Sequence, residues 1–323
     1  MSDVEASDRP RAVRFRVVAG VFAATIALGV VVALLLHRSF VGAERVAARH
    51  LTPDASAVLR LDLEKVVLFA PVRRVALPLL NESALPPGKD LKPRVHRIGE
   101  QSKLLLGRDT RELLVNFGPE PRDWSVIVAG NYPANLEAVF AAVLAEEGVP
   151  WKEQGGALVS PEGAALAQAS DGAIVLGSSA RNVERALPAS DAHARFGIPL
   201  RGALSFVGDP RKASWLGAAS RQFGELERIE ARADWSSPLE VEWTLTYVDA
   251  PPADLESRVD GALHDFLGDG EAARLEGAVG KPRFSRNGRV VRVGTRWDHE
   301  SLEIVADRVA YRLKDRRTTA LGR

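Results

Sequence analysis

Residues 57–63 read Ala57-Val58-Leu59-Arg60-Leu61-Asp62-Leu63, an alternation of apolar and polar residues that predicts a half-buried β-strand. A second run, 203–209 (ALSFVGD), holds the matching place in the later part of the chain, and a strand over 202–208 is expected there. Between them the sequence predicts helices over 64–80 and 91–106, separated by the turn-rich Leu85-Pro86-Pro87-Gly88. Strands over 112–117 and 124–130 follow, paired around Gly118-Pro119 and Pro121. Asn135 then caps a helix over 136–147, whose Leu136, Val139, Phe140, Val143 and Leu144 form an apolar stripe ended by Gly148. Short strands at 157–159, 164–169 and 173–176 come next, the last two turning at Asp171-Gly172, and a helix over 180–187 closes the first half.

The second half runs in the same order. A helix over 211–226 follows its opening strand, then strands over 228–233 and 239–248, then a helix over 255–267 behind Asp254. A hairpin joins 283–285 to 290–296 through Asn287-Gly288, a strong two-residue turn signal. An amphipathic helix over 299–314 ends the region, with Leu302, Val305, Ala306, Val309 and Leu313 on one face. Asp123-Trp124-Ser125 matches Asp234-Trp235-Ser236, and Asn135-Leu136-Glu137 matches Asp254-Leu255-Glu256. The expected class is therefore α+β: a tandem duplication of ferredoxin-like β-α-β-β-α-β units with antiparallel sheets, over 54–194 and 195–323.

Upstream lies the most apolar stretch of the chain, residues 17–36 (VVAGVFAATIALGVVVALLL). Twelve of these twenty residues are Val, Ile, Leu or Phe, and none is charged or Pro. At about 1.5 Å per residue, such a helix covers the roughly 30 Å hydrocarbon thickness of a bilayer, and it has no polar stripe to suit it to a soluble core. The domain reading is a basic tail (1–16), a transmembrane signal anchor (17–37) and a stalk helix (38–53) before the two repeats. Arg9, Arg11, Arg14 and Arg16 crowd the N-terminal flank, against Arg38, Arg45 and Arg49 on the other side, which places the N-terminus in the cytoplasm and the C-terminal region outside, at the inner membrane. The rival reading is a signal peptide cleaved after Ala43; the length of the apolar run and the His37-Arg38 that follows it favour an uncleaved anchor. Gly20, Ala24, Thr25, Gly29 and Ala33 place small residues at four-residue spacing, the pattern through which two such helices approach closely, so a homodimer or an envelope protein partner is the corresponding expectation, with the lipid bilayer as the first partner.

Composition narrows the chemistry. Beyond residue 38 the chain has 39 acids and 38 bases, without the basic excess of a nucleic-acid binder. Cysteine is absent, which removes disulfides, thiol catalysis and thiolate metal sites. Arg outnumbers Lys 35 to 8, and the one glycosylation sequon is Asn81-Glu82-Ser83.

The sharpest metal candidate is His299-Glu300-Ser301-Leu302-Glu303, in which His299 and Glu303 share a helix face and Glu300 could act as base. It lacks the second His of H-E-x-x-H, and acids in the first turn of a helix are explained by its dipole. His264-Asp265, Asp191-Ala192-His193 and Glu146-Glu147 read as solvated surface groups, and Ser179 as a helix cap. Trp124 and Trp235 read as core or hairpin aromatics. Gly88-Lys89-Asp90 and Gly280-Lys281-Pro282 lack the spacing of a phosphate loop, and no G-x-G-x-x-G occurs, so no cofactor and no catalytic residue is assigned.

The run Leu51-Thr52-Pro53-Asp54-Ala55-Ser56-Ala57-Val58-Leu59-Arg60-Leu61-Asp62, set behind an anchor and followed by strand–Asp-Gly–strand units such as 164–177, resembles the ectodomain start of a family of uncharacterised signal-anchored bacterial membrane proteins with α+β ectodomains. The resemblance implies architecture and location and carries no activity. The functional expectation is a single-pass envelope protein with a binding or scaffolding ectodomain; the alternative is an envelope hydrolase whose site assembles only in three dimensions.

Overall fold

The computed structural model describes residues 47–63, 65, 101–102, 109–146, 151–198, 202–234, 239–267 and 281–298. The apolar run 17–36, Ala43, the helix expected over 299–314, the sequon at Asn81 and the His299–Glu303 motif lie outside the described residues, as do all but residues 65, 101 and 102 of the helices expected over 64–80 and 91–106. No helix among the described residues is long and apolar enough to cross a membrane.

In chain order the elements are β1 (Ala57–Asp62), β2 (Thr110–Phe117), β3 (Trp124–Gly130), α1 (Leu136–Glu146), β4 (Lys152–Gln154), β5 (Ala157–Val159), β6 (Ala165–Gln168), β7 (Ile174–Gly177), α2 (Ala180–Ala186), α3 (Ala192–Phe196), β8 (Leu204–Gly208), α4 (Gly217–Phe223), β9 (Leu226–Asp234), β10 (Leu239–Tyr247), α5 (Leu255–Leu267), β11 (Arg283–Asn287) and β12 (Val290–Trp297). Short 3-10 turns occupy Ala47–His50 and Ser214–Leu216. The fold is α+β, and the described strands form one antiparallel sheet in the order β11-β12-β10-β9-β8-β1-β2-β3-β7-β6-β5-β4.

That order differs from the ferredoxin-like expectation. A split β-α-β unit sets a third strand between the first two, whereas β1 pairs directly with β2, and β8 with β9, in antiparallel register. Nor do two separate sheets form: β1 and β8 pair across the middle, Leu59 opposite Phe206 and Leu61 opposite Leu204. The central position also overturns the expected half-burial of β1. All six of its residues are buried, because helices and turns cover both faces of the sheet there. Ala57, Leu59 and Leu61 join Leu113, Val115, Phe206 and Ala231 on one face. Val58 joins Leu114, Ile127, Val175 and Val207 on the other, beneath Ala47, Leu51 and Val183.

Several elements fall where periodicity puts them. α1 buries Leu136, Val143 and Leu144, with Val139 and Phe140 packed alongside against Leu158, Leu166 and Ile174. α5 starts at Leu255, fully buried behind Asp254. Ser179 caps α2 by accepting the Asn182 amide. The Asp171-Gly172 turn joins β6 to β7 with Gly172 at φ 91°, and the Asn287-Gly288 turn joins β11 to β12 with Gly288 at φ 57°, a region open to glycine without penalty. The expected helix over 211–226 is shorter. The Asp209 carboxylate takes the Arg211 amide (2.9 Å), an alternative to helix hydrogen bonding, so α4 begins only at Gly217 and stops before Gly224 at φ 103°. The Asp-Trp-Ser match does not survive as an equivalence. Trp124 opens β3, whereas Asp234 closes β9, and Trp235 and Ser236 lie outside the described residues. Neither β4 nor α3 is legible in the sequence; α3 straddles the expected boundary between the repeats at 194/195 and is held by Arg228 of β9, which donates to the Phe196 carbonyl (2.8 Å).

Tyr247 at the end of β10 is buried, and its hydroxyl has no partner among the described residues. Burial pushes its phenol up to about 12, against the nearby positive charges of Arg286 and Arg258. The folded phenol thus holds its proton above the pH at which an unfolded one releases it, so this contribution to stability is full below about pH 10 and is lost as pH rises through about 12. Tyr247→Phe is expected to leave neutral-pH stability nearly unchanged and to delay alkaline unfolding, checked by pH-jump denaturation followed by circular dichroism.

Candidate functional site

The sequence places charged residues at alternate positions of the central strands, and the fold buries them. Arg60 and Asp62 on β1 face the same side as Glu112 and Asn116 on β2, since Arg60 lies opposite Leu114 and Asp62 opposite Glu112. The Arg60 Nε donates to Glu112 Oε1 at 2.5 Å, with both side chains 2% exposed. The other Glu112 oxygen accepts the Ala47 amide at 3.2 Å. Arg60 Nη1 has no partner among the described residues.

Next to this pair the chain entering the body is pinned by His50, which is 1% exposed. Its Nδ1 donates to the Ala186 carbonyl oxygen at 2.8 Å, in the last turn of α2. Its Nε2 lies 3.0 and 3.1 Å from the two Asp171 carboxylate oxygens in the β6–β7 turn. Asp171 also receives the Ala173 amide, which fixes the turn. The backbone around His50 is held as firmly: Asn116 Nδ2 donates to the His50 carbonyl (3.1 Å), Ser190 N to that of Arg49 (2.6 Å), and Ser190 Oγ to that of Leu51 (3.0 Å). Residues 47–51 of the expected stalk are thus part of the folded body.

A buried His–carboxylate pair is an arrangement that hydrolases use to take a proton from a nucleophile. Here the geometry works against that chemistry, because both ring nitrogens already face Asp171 and Ala186 and neither is left to serve as base. No group of three His, Asp or Glu residues that could hold a metal occurs among the described residues.

The residues singled out in the sequence are not brought together. His299, Glu300 and Glu303, and Gly20, Ala24, Thr25, Gly29 and Ala33, lie outside the described residues. His264 lies on α5, His193 on α3 and Glu146 at the end of α1, three different elements. Trp124 is half-buried at the start of β3, packed against the core on the face shared with Leu59. Sequence reasoning missed His50, Arg60, Glu112 and Asp171. The signal available was an acid or a base at alternate positions of otherwise apolar strands; what covers that face is not written in the strand itself.

No family model matches the chain, and no curated protein matches it. Among solved structures, crystal forms I and III of TP0453 align over 83% of this chain and 97–98% of their own, at 9–10% sequence identity and TM-scores of 0.45 and 0.47. Crystal form IV aligns over the same share of this chain at a TM-score of 0.41. Likeness at that level carries no argument about this chain's fold or activity.

Proposed function

We propose that the chain is a single-pass envelope protein, anchored in the inner membrane by residues 17–36, whose α+β ectodomain serves in binding or scaffolding. The carrying observation is the uncharged twenty-residue run itself. Its consequence for the ectodomain follows from where the body starts. Ten residues separate Leu36 from Ala47, and Ala47 is already bonded to Glu112 in the central sheet. At about 3.3–3.6 Å per extended residue, the eleven steps from Leu36 to Ala47 hold the start of the body no more than about 40 Å from the bilayer. Such an ectodomain works on partners close to the membrane surface.

The second part of the proposal is that the ectodomain arose by divergent duplication. Reading outward from the centre, β1-β2-β3-β7-β6 and β8-β9-β10-β12-β11 follow the same order, with α1 after β3 and α5 after β10. Asn135-Leu136 and Asp254-Leu255 occupy equivalent helix starts, each with its Leu buried. These correspondences support the reading, and the two halves join through the β1–β8 ladder.

Alkaline carbonate extraction of membranes containing the full-length chain, combined with a C-terminal alkaline phosphatase fusion, tests the anchor. The expected result is retention in the pellet with an active exported reporter. Release of the intact chain, or an inactive reporter trapped in the cytosol, would overturn the proposal.

A further inference from the structure

We propose that the open edge of β11 docks an extended acidic segment of another protein as an added strand. This names a partner class for the binding role proposed above; the anchor is tested by extraction and the edge by titration, so either can fail alone. Open backbone and unbalanced charge coincide at this edge. β11 ends the strand order, with β12 on one side and no strand on the other among the described residues. Its ladder runs without a bulge from Arg283 opposite Gly294 to Asn287 opposite Val290, and only Gly288 and Arg289 close the hairpin. The pair flanking such a two-residue loop is the hydrogen-bonded kind, and the two kinds alternate, so Ser285 and Arg283 also bond to β12. Phe284 and Arg286 therefore turn their amides and carbonyls outward, away from the sheet. The opposite edge, β4, spans only Lys152–Gln154 and carries both a base and an acid, a common way of blunting an edge.

The charge of the hairpin selects the partner. Residues 281–297 hold six bases (Lys281, Arg283, Arg286, Arg289, Arg292 and Arg296) and no acid, in a chain with 43 bases and 42 acids. All six are exposed. Arg286 reaches Glu256 at 3.5 Å and Arg289 reaches Glu227 at 3.4 Å. On the β10 side, Glu240 lies opposite Arg296 and Glu242 opposite Gly294. Arg283 and Arg292 share one face in neighbouring rows toward the open edge, with no ion pair among the described residues. A Cβ on Gly294, opposite Arg283, would meet nothing within 4 Å, so that row is open to an incoming carboxylate. A second copy of the chain would set this basic edge against itself, and like charges across a strand pair repel. Phospholipid or nucleic-acid phosphates answer the charge but bring no donor to the Phe284 and Arg286 carbonyls. An extended segment with Asp or Glu at alternate positions answers both. Its backbone completes the ladder, its carboxylates share the face of Arg283 and Arg292, and the residues between lie beside the half-buried Phe284.

The test is a fluorescence-anisotropy titration of a labelled, end-blocked peptide of alternating Glu and Val with the full-length chain in mild non-ionic detergent. Saturable binding is expected. N-methylating one alternate set of the peptide's amides should weaken it about tenfold or more, the loss of the inward donors, while methylating the other set should change little. The double variant Arg283→Glu with Arg292→Glu, at two exposed positions, should lose the Glu peptide about tenfold or more and take up its Lys counterpart instead. Amide hydrogen exchange locates the contact without any variant: Phe284 and Arg286 fast in the free chain and slowed by the peptide, Ser285 slow in both. Absence of saturable binding, or equal affinity for all the methylated forms, would overturn the proposal. So would slow Phe284 and Arg286 amides in the free chain, which would mean that its own residues or a second copy already cover the edge. Equal binding of anionic phospholipid vesicles or of a single-stranded oligonucleotide, lost in the same double variant, would make the hairpin a general polyanion site and overturn it too.

Discussion

Glu112→Ala is expected to lower the unfolding free energy by about 3–5 kcal/mol, the range seen when one partner of a buried ion pair is removed. The guanidinium of Arg60 would stay buried with its Nε and Nη1 both unpartnered among the described residues, and the Ala47 amide would lose its acceptor as well. Against a typical total of about 5–15 kcal/mol, that loss brings the chain close to unfolding at ambient temperature. Replacing both partners, as Arg60→Met with Glu112→Leu, removes the stranded charge and the desolvation penalty together. It should recover most of the loss, because a close-packed apolar pair is often as stable as the ion pair it replaces. Urea denaturation of the full-length chain in detergent, followed by circular dichroism, measures both. A double variant no more stable than Glu112→Ala would show that the pair contributes through a contact its apolar replacement cannot make.

Gly130→Ala is the second large effect. Gly130 ends β3 opposite Thr110, where the chain arrives from Asp109. A Cβ there would fall on the Asp109 carbonyl oxygen and come within 2.9 Å of the Thr110 Cα. These are backbone atoms, and the Asp109 oxygen is itself bound by the Asn131 amide at 2.7 Å, so neither can swing aside as a side chain would. The expected loss is about 3 kcal/mol or more, at the upper end for overpacking. Gly294→Ala in β12 is the control: a Cβ there meets nothing within 4 Å, and the substitution should be neutral or stabilise by about 0.5–1 kcal/mol. Thermal melts of the two variants side by side should differ in sign or by several degrees in Tm. Similar melting temperatures would mean that the β2–β3 end relaxes around the added methyl.

How much of this was legible in the chain varies by element. The hairpin at Asn287-Gly288, the amphipathic α1 and the buried start of α5 depend on local turn chemistry and on side-chain period, which neighbouring residues carry. Pairing order does not. Alternation in 57–63 predicted a strand with one wet face, yet a strand in the middle of a sheet covered on both sides has no wet face, so Arg60 and Asp62 went inside. His50 showed no motif at all. Its partners Asp171 and Ala186 are 121 and 136 residues away, and only the packing of α2 and the β6–β7 turn brings them to one ring.

By itself the sequence determined the apolar run at 17–36, the α+β class and the positions of most strands, because hydrophobic period and turn residues act over a few neighbours. The tertiary structure decided that the halves share one sheet through β1 and β8, and that residues 47–51 belong to the body. It also decided which charges are buried together. Those outcomes depend on strand pairing and layer packing between residues far apart in the chain, which no local pattern encodes.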